Sequence, residues 1–165
     1  MSILGEDITP KKRELSAEEL AFSYDQRLII DGISLEIPEH TTTAIVGPSG
    51  SGKTTLVSLL ARFWDPEKGR VLLSARDVKD YDMDSLMANF SFVFQNVYLF
   101  HDSILNNIRF ARPELTEKKT VILIAHRLKT VSKADQILVL EQGKIVQKGS
   151  HEELLQEDGL YKDFI

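Results

Sequence analysis

Apolar residues fall in short runs separated by turn-forming residues, and the period of those runs changes along the chain. Glu18 to Tyr24 (EELAFSY) and Ile33 to Ile37 (ISLEI) read as strands, with Asp31-Gly32 and Pro38 as punctuation. Thr42 to Val46 is a β-prone run ending at a glycine, and Thr54 to Phe63 (TTLVSLLARF) then places apolar residues at helical spacing. A turn at Asp65 to Gly69 leads into a strand, Arg70 to Leu73, and a short helical segment, Asp84 to Ala88. Ser91 to Phe94 reads as a buried strand, and Ser103 to Phe110 as a helix capped by Asp102 or Ser103. Thr120 to Ala125 (TVILIA) is the most strand-like run, and its continuous apolar character suits a parallel strand covered on both faces. Ile137 to Leu140 and Lys144 to Gln147, joined at Gln142-Gly143, predict a hairpin. Ser150 followed by Glu153 is a capping box opening a terminal helix. Residues 1–16 are polar and read as an arm or linker, leaving 17–165 as one domain. The early strands look antiparallel and the later ones βα-like. The expected fold is α/β, a mostly parallel core sheet with flanking helices plus an antiparallel β side-layer.

Between the third run and its helix lies Gly47-Pro48-Ser49-Gly50-Ser51-Gly52-Lys53-Thr54, which satisfies the phosphate-loop pattern G-x-x-x-x-G-K-[ST] at every fixed position. Glycines let the backbone wrap close to phosphate oxygens, so that successive N–H groups form an anion nest. Lys53 adds a point charge for the terminal phosphates. The Thr54 hydroxyl suits Mg²⁺ and that of Thr55 a phosphate oxygen, while the following helix presents its positive end. Strand, glycine loop and helix occur in the order of a P-loop NTPase core.

Composition narrows the rest. A chain of 165 residues is about one domain's worth and supports a real core. A net charge of −5 argues against nucleic acid or an anionic membrane as partner. There is no cysteine, which excludes disulfides and thiolate metal sites. His40, His101 and His151 have no metal-ligand spacing. The apolar runs are too short to span a bilayer, and the N-terminus has no apolar signal core, so a cytoplasmic protein without direct membrane insertion is expected.

Further segments fit one family. The chain resembles the nucleotide-binding domain of ABC transporters, specifically the exporter type, from about residue 18 to the end. Phe22-Ser23-Tyr24 looks like the adenine-stacking segment of that family, with Tyr24 as the aromatic. Phe94-Gln95 looks like its Q-loop, and the resemblance implies that Gln95 approaches Mg²⁺ and the attacking water. Asn96 to Ile104 resembles the exporter continuation of that loop. Ile122 to Leu128 (ILIAHRL) looks like the switch-histidine segment, which implies a γ-phosphate contact for His126. Gly143 to Val146 and Gly149 to Leu154 resemble the usual C-terminal stretch. The implied cofactors are ATP and Mg²⁺, and the implied partner is a transmembrane transporter subunit or domain at the inner face of the plasma membrane.

The departures are as informative. The helical subdomain is missing, and with it the LSGGQ-type signature, the apolar strand ending in Asp-Glu, and the Ala-Leu-Asp loop. The chain passes from Ile108 to Glu114 (IRFARPE) through Leu115 to Lys119 (LTEKK) directly into Thr120-Val121-Ile122. P-loop enzymes use such an Asp to hold Mg²⁺. Glu141 ends an apolar run but belongs to the expected hairpin, and Glu114 and Glu117 follow no apolar strand, so no catalytic carboxylate can be assigned. The missing acidic strand is central in the family sheet. Its loss implies either a new neighbour for the Gln95 strand or an uncovered apolar face.

The leading expectation is an internally truncated exporter domain that binds ATP and is impaired in hydrolysis. The alternatives are a non-catalytic module pairing with a complete nucleotide-binding domain, a P-loop phosphotransferase for which neither lid nor acceptor site is identified, and a defunct deletion fragment.

Overall fold

The computed structural model describes residues 10, 12–87, 120–125 and 128–164. Among the described residues, eight strands make two four-stranded sheets. The first carries β1 (Leu15–Tyr24), β2 (Arg27–Ile37), β4 (Lys68–Leu73) and β5 (Arg76–Asp77) in the order β2-β1-β4-β5, every pair antiparallel. The second carries β3 (Thr42–Val46), β6 (Val121–Ile124), β7 (Gln136–Glu141) and β8 (Lys144–Gly149) in the order β6-β3-β7-β8. Here β3 runs parallel to both β6 and β7, and β8 returns antiparallel beside β7. The helices are α1 (Lys53–Leu60), α2 (Met83–Met87), α3 (Leu128–Val131), α4 (His151–Gln156) and α5 (Leu160–Asp163), with a 3-10 turn at Val78–Asp80. The α/β class and the antiparallel side-layer stand as the sequence implies.

Side-chain alternation on the parallel strands divides the interior into two cores. Ile45, Leu138 and Leu140 face Leu56, Leu59 and Leu60 of α1 and the buried residues of the antiparallel sheet, among them Leu20, Ile33 and Leu73. Their neighbours Ala44, Val46, Ile137 and Val139 face the other way, against Val131, Leu154 and Tyr161 of the later helices. The phosphate-loop strand is therefore held from both faces.

Several element ends differ from the sequence reading. β1 begins at Leu15, taking in the last two residues expected of the arm, because Leu15 and Ala17 are core side chains. β2 does not stop at Asp31-Gly32; it runs through them with Gly32 at φ +69° and the β1–β2 pairing shifts register nearby. α1 ends at Leu60 rather than Phe63, since Arg62 turns to φ +59° and donates its Nη1 to the carbonyls of Val78 (3.1 Å) and Tyr81 (3.0 Å). β5, α3 and α5 have no counterpart in the sequence reading. β6 lies directly against β3, and among the described residues no strand pairs with its other edge. The expected strand Ser91 to Phe94 and helix Ser103 to Phe110 lie outside the described residues. No helix among the described residues is long and apolar enough to cross a membrane.

Candidate functional site

Parallel strands direct their carboxyl ends toward one rim of the sheet, where βα turns gather function. β3 reaches that rim at Val46, and the chain turns through Gly47 to Gly52 into α1. Gly47 is packed so closely that a Cβ there would collide with the Leu140 carbonyl oxygen and Ser51 Oγ, so no larger residue fits without moving β7. The Ser51 amide closes a turn onto the Pro48 carbonyl at 3.2 Å. Gly52 caps α1 without any side-chain bond, and the first intrahelical bond runs from the Leu56 amide to the Gly52 carbonyl at 2.8 Å. The amides of Lys53, Thr54 and Thr55 consequently have no partner within the helix, as at any helix start.

The Lys53 side chain is buried, 8% exposed, and its ammonium donates to the carbonyls of Gly47 (2.8 Å) and Pro48 (2.9 Å). Burial holds its pKa below the ordinary lysine value of 10.5. The cation thus clasps its own loop, a contact no motif reveals. Ser51 Oγ is buried with no hydrogen-bond partner among the described residues.

From underneath, the turn of the β7–β8 hairpin supports the loop. The Gly143 amide donates to the Ser51 carbonyl at 3.0 Å, and the Gly143 carbonyl accepts from the Asp31 amide at 2.9 Å. A Cβ at Gly143 would strike the Ile29 carbonyl. Lys144 reinforces the junction through Asp31 at 3.3 Å. Loop, hairpin and antiparallel sheet are joined at this one point.

A cleft of about 360 Å³ opens over the loop. Ser49, Gly50, Gly52, Lys53, Thr54 and Thr55 line one side. Tyr24, Arg27 and Ile29, from the end of β1 and the start of β2, line the other. Gly47, Pro48 and Ser51 shape the loop from behind. Arg27 was not singled out in the sequence; it sits opposite Tyr24 across the tight turn at Asp25 and Gln26, which both take positive φ. Glu141 closes β7 within the hairpin and does not line the cleft. Gln95 and His126 lie outside the described residues.

The donor set suits a polyanion: orphan amides at a helix start, a desolvated ammonium, and hydroxyls on Thr54 and Thr55. For a divalent cation the described cleft offers the Thr54 hydroxyl, and among the described residues no group of three or more His, Asp or Glu is placed to hold a metal.

A family model described as "ABC transporter" matches residues 30–150. The chain belongs to the ABC transporter family. It is 30% identical to an ATP-dependent lipid A-core flippase of Vibrio vulnificus over 234 aligned positions, which take in 91% of this chain and 40% of the flippase. It is 31% identical to the mitochondrial iron-sulfur clusters transporter ATM1 of Candida glabrata, covering 91% of this chain and 32% of that protein. A solved structure of a bacterial Atm1-family ABC exporter with ATP bound superposes with a TM-score of 0.82 at 26% identity, over 99% of this chain and 44% of the exporter. The chain thus spans less than half of the length of these ABC relatives.

Proposed function

We propose that this chain is an internally shortened ATP-binding domain of an ABC exporter, which binds Mg·ATP and hydrolyses it poorly or not at all. One observation carries the reading. A complete phosphate loop faces an aromatic across a cleft, yet among the described residues no carboxylate lines that cleft. The flippase alignment supports the shortening: 234 aligned positions exceed the 165 residues of this chain, so the relative holds residues there with no counterpart.

In this reading the amides of the loop and of Lys53, Thr54 and Thr55 take phosphate oxygens. The Lys53 ammonium exchanges the Gly47 and Pro48 carbonyls for the terminal phosphates. Thr54 holds Mg²⁺, whose chemistry is to neutralise charge on the phosphate oxygens. Tyr24 stacks on the base. Gln95 and His126 take the water-side and γ-phosphate roles that the resemblance implies. A transmembrane partner holds the domain at the inner face of the plasma membrane, where ATP binding would couple to transport.

Titration calorimetry with Mg·ATP tests the binding half. Saturable heat that Lys53→Ala weakens by at least about tenfold is expected, since one charged contact to phosphate is lost. Equal heats in both proteins would overturn the site assignment.

The absent signature segment favours a second reading, in which this chain lends its phosphate loop to a complete cassette in an asymmetric sandwich. ATP-dependent co-purification with a complete cassette supports that pairing, and no complex at saturating ATP removes it.

A further inference from the structure

Tyr24, the aromatic residue that lines the cleft, belongs to a cluster of three rings. The Tyr24 ring lies 4.9 Å from Phe22 at an interplanar angle of 86°, and 5.7 Å from Trp64 at 88°. Phe22 and Trp64 close the set at 6.0 Å. The two Tyr24 pairs have the edge-to-face geometry that aromatic pairs favour, while Phe22 and Trp64 are tilted at 57°. Phe22 is buried, whereas Tyr24 and Trp64 are 39% and 49% exposed. A half-exposed tyrosine at the end of a strand would otherwise move among its rotamers. Two perpendicular neighbours narrow that choice.

Trp64 comes from the turn that finishes α1. The amides of Phe63 and Trp64 both reach the Ser58 carbonyl, at 2.9 and 3.4 Å, and the helix itself starts at Lys53. One short helix therefore carries the phosphate-facing amides at its first turn and the neighbour of Tyr24 just past its last. Eight residues at about 1.5 Å rise span roughly 12 Å. That rigid length ties the position of the ring to the position of the loop.

We propose that Trp64 is a positioning residue for nucleotide recognition, bracing Tyr24 so that a nucleoside triphosphate stacks its base there while the opposite end of α1 takes the phosphates. The proposal rests on Tyr24 being the base-stacking ring. Stacking accepts any planar base, so the brace discriminates base-bearing from bare triphosphate and does not choose among bases.

The test is calorimetry on the full chain with Mg·ATP and Mg·tripolyphosphate, with folding checked by circular dichroism. Trp64→Ala is expected to weaken ATP about two- to tenfold, the range of a lost aromatic pair, and to leave tripolyphosphate unchanged. Trp64→Phe restores most of the loss, and Trp64→Leu, which keeps apolar bulk if the alanine variant folds poorly, does not. In a Tyr24→Ala background, Trp64→Ala has no further effect on the ratio of the two affinities. Equal weakening of both ligands by Trp64→Ala and Trp64→Leu, or weakening of neither, overturns the bracing role. If Tyr24→Ala lowers the ratio and Trp64→Ala does not, bracing alone falls. If Tyr24→Ala also leaves the ratio unchanged, the base-stacking reading beneath it falls too.

Discussion

The Gly143 amide hydrogen-bonds the Ser51 carbonyl at 3.0 Å, across more than half the length of the chain. Through this contact the late hairpin, which carries no group of its own into the cleft, fixes the back of the phosphate loop. The Asp31 amide on the Gly143 carbonyl extends the same contact into the antiparallel sheet. The site is therefore framed by two layers, with Gly143 at their junction.

Gly143→Ala tests that frame. Gly143 sits at φ +76°, and the added methyl would drive into the Ile29 carbonyl. A loss of roughly 1–3 kcal/mol is expected in urea unfolding, with weaker triphosphate binding as the loop loses its support. Wild-type stability in the variant would show that the hairpin does not press on β2.

Lys53 gives a pH signature. Its folded pKa lies below the ordinary 10.5 because the ammonium is desolvated. The unfolded state then binds more protons between the lowered value and 10.5, so stability contributed by this group rises with pH across that alkaline window. Below the window the burial cost is present in full. Lys53→Met removes the titration, so the wild-type minus variant stability difference should climb through the window. A flat difference contradicts the burial. Triphosphate affinity has the opposite slope, falling as the ammonium deprotonates.

Ser150→Ala addresses the C-terminal helix. Ser150 Oγ accepts from the Glu153 amide at 3.2 Å, and the Glu153 carboxylate accepts from the Ser150 amide at 2.8 Å. Losing this box costs about 1 kcal/mol, read by denaturation, while ATP affinity stays unchanged. A change in ATP affinity would mean that the second core transmits to the loop.

Local signals in the sequence located much of this. The strand-loop-helix at Val46 to Lys53, the β7–β8 hairpin and the Ser150 box each depend on residues a few positions apart, where spacing alone carries the chemistry. The path of β2 through Asp31-Gly32 was not legible, because a bulge uses the same residues as a turn. Nor was the pairing of Trp64 with Tyr24, or the anchoring of Arg62 on Val78 and Tyr81, since these follow from tertiary packing. The clasp of Lys53 on Gly47 and Pro48 is local in sequence, but it depends on loop backbone angles that composition does not specify.

The most direct measurement follows ATP affinity and phosphate release on one preparation of the full chain, beside Lys53→Ala. The account predicts saturable Mg·ATP binding with phosphate release no faster than in the variant. Lys53-dependent turnover near the roughly 10 s⁻¹ of an ordinary enzyme would contradict it.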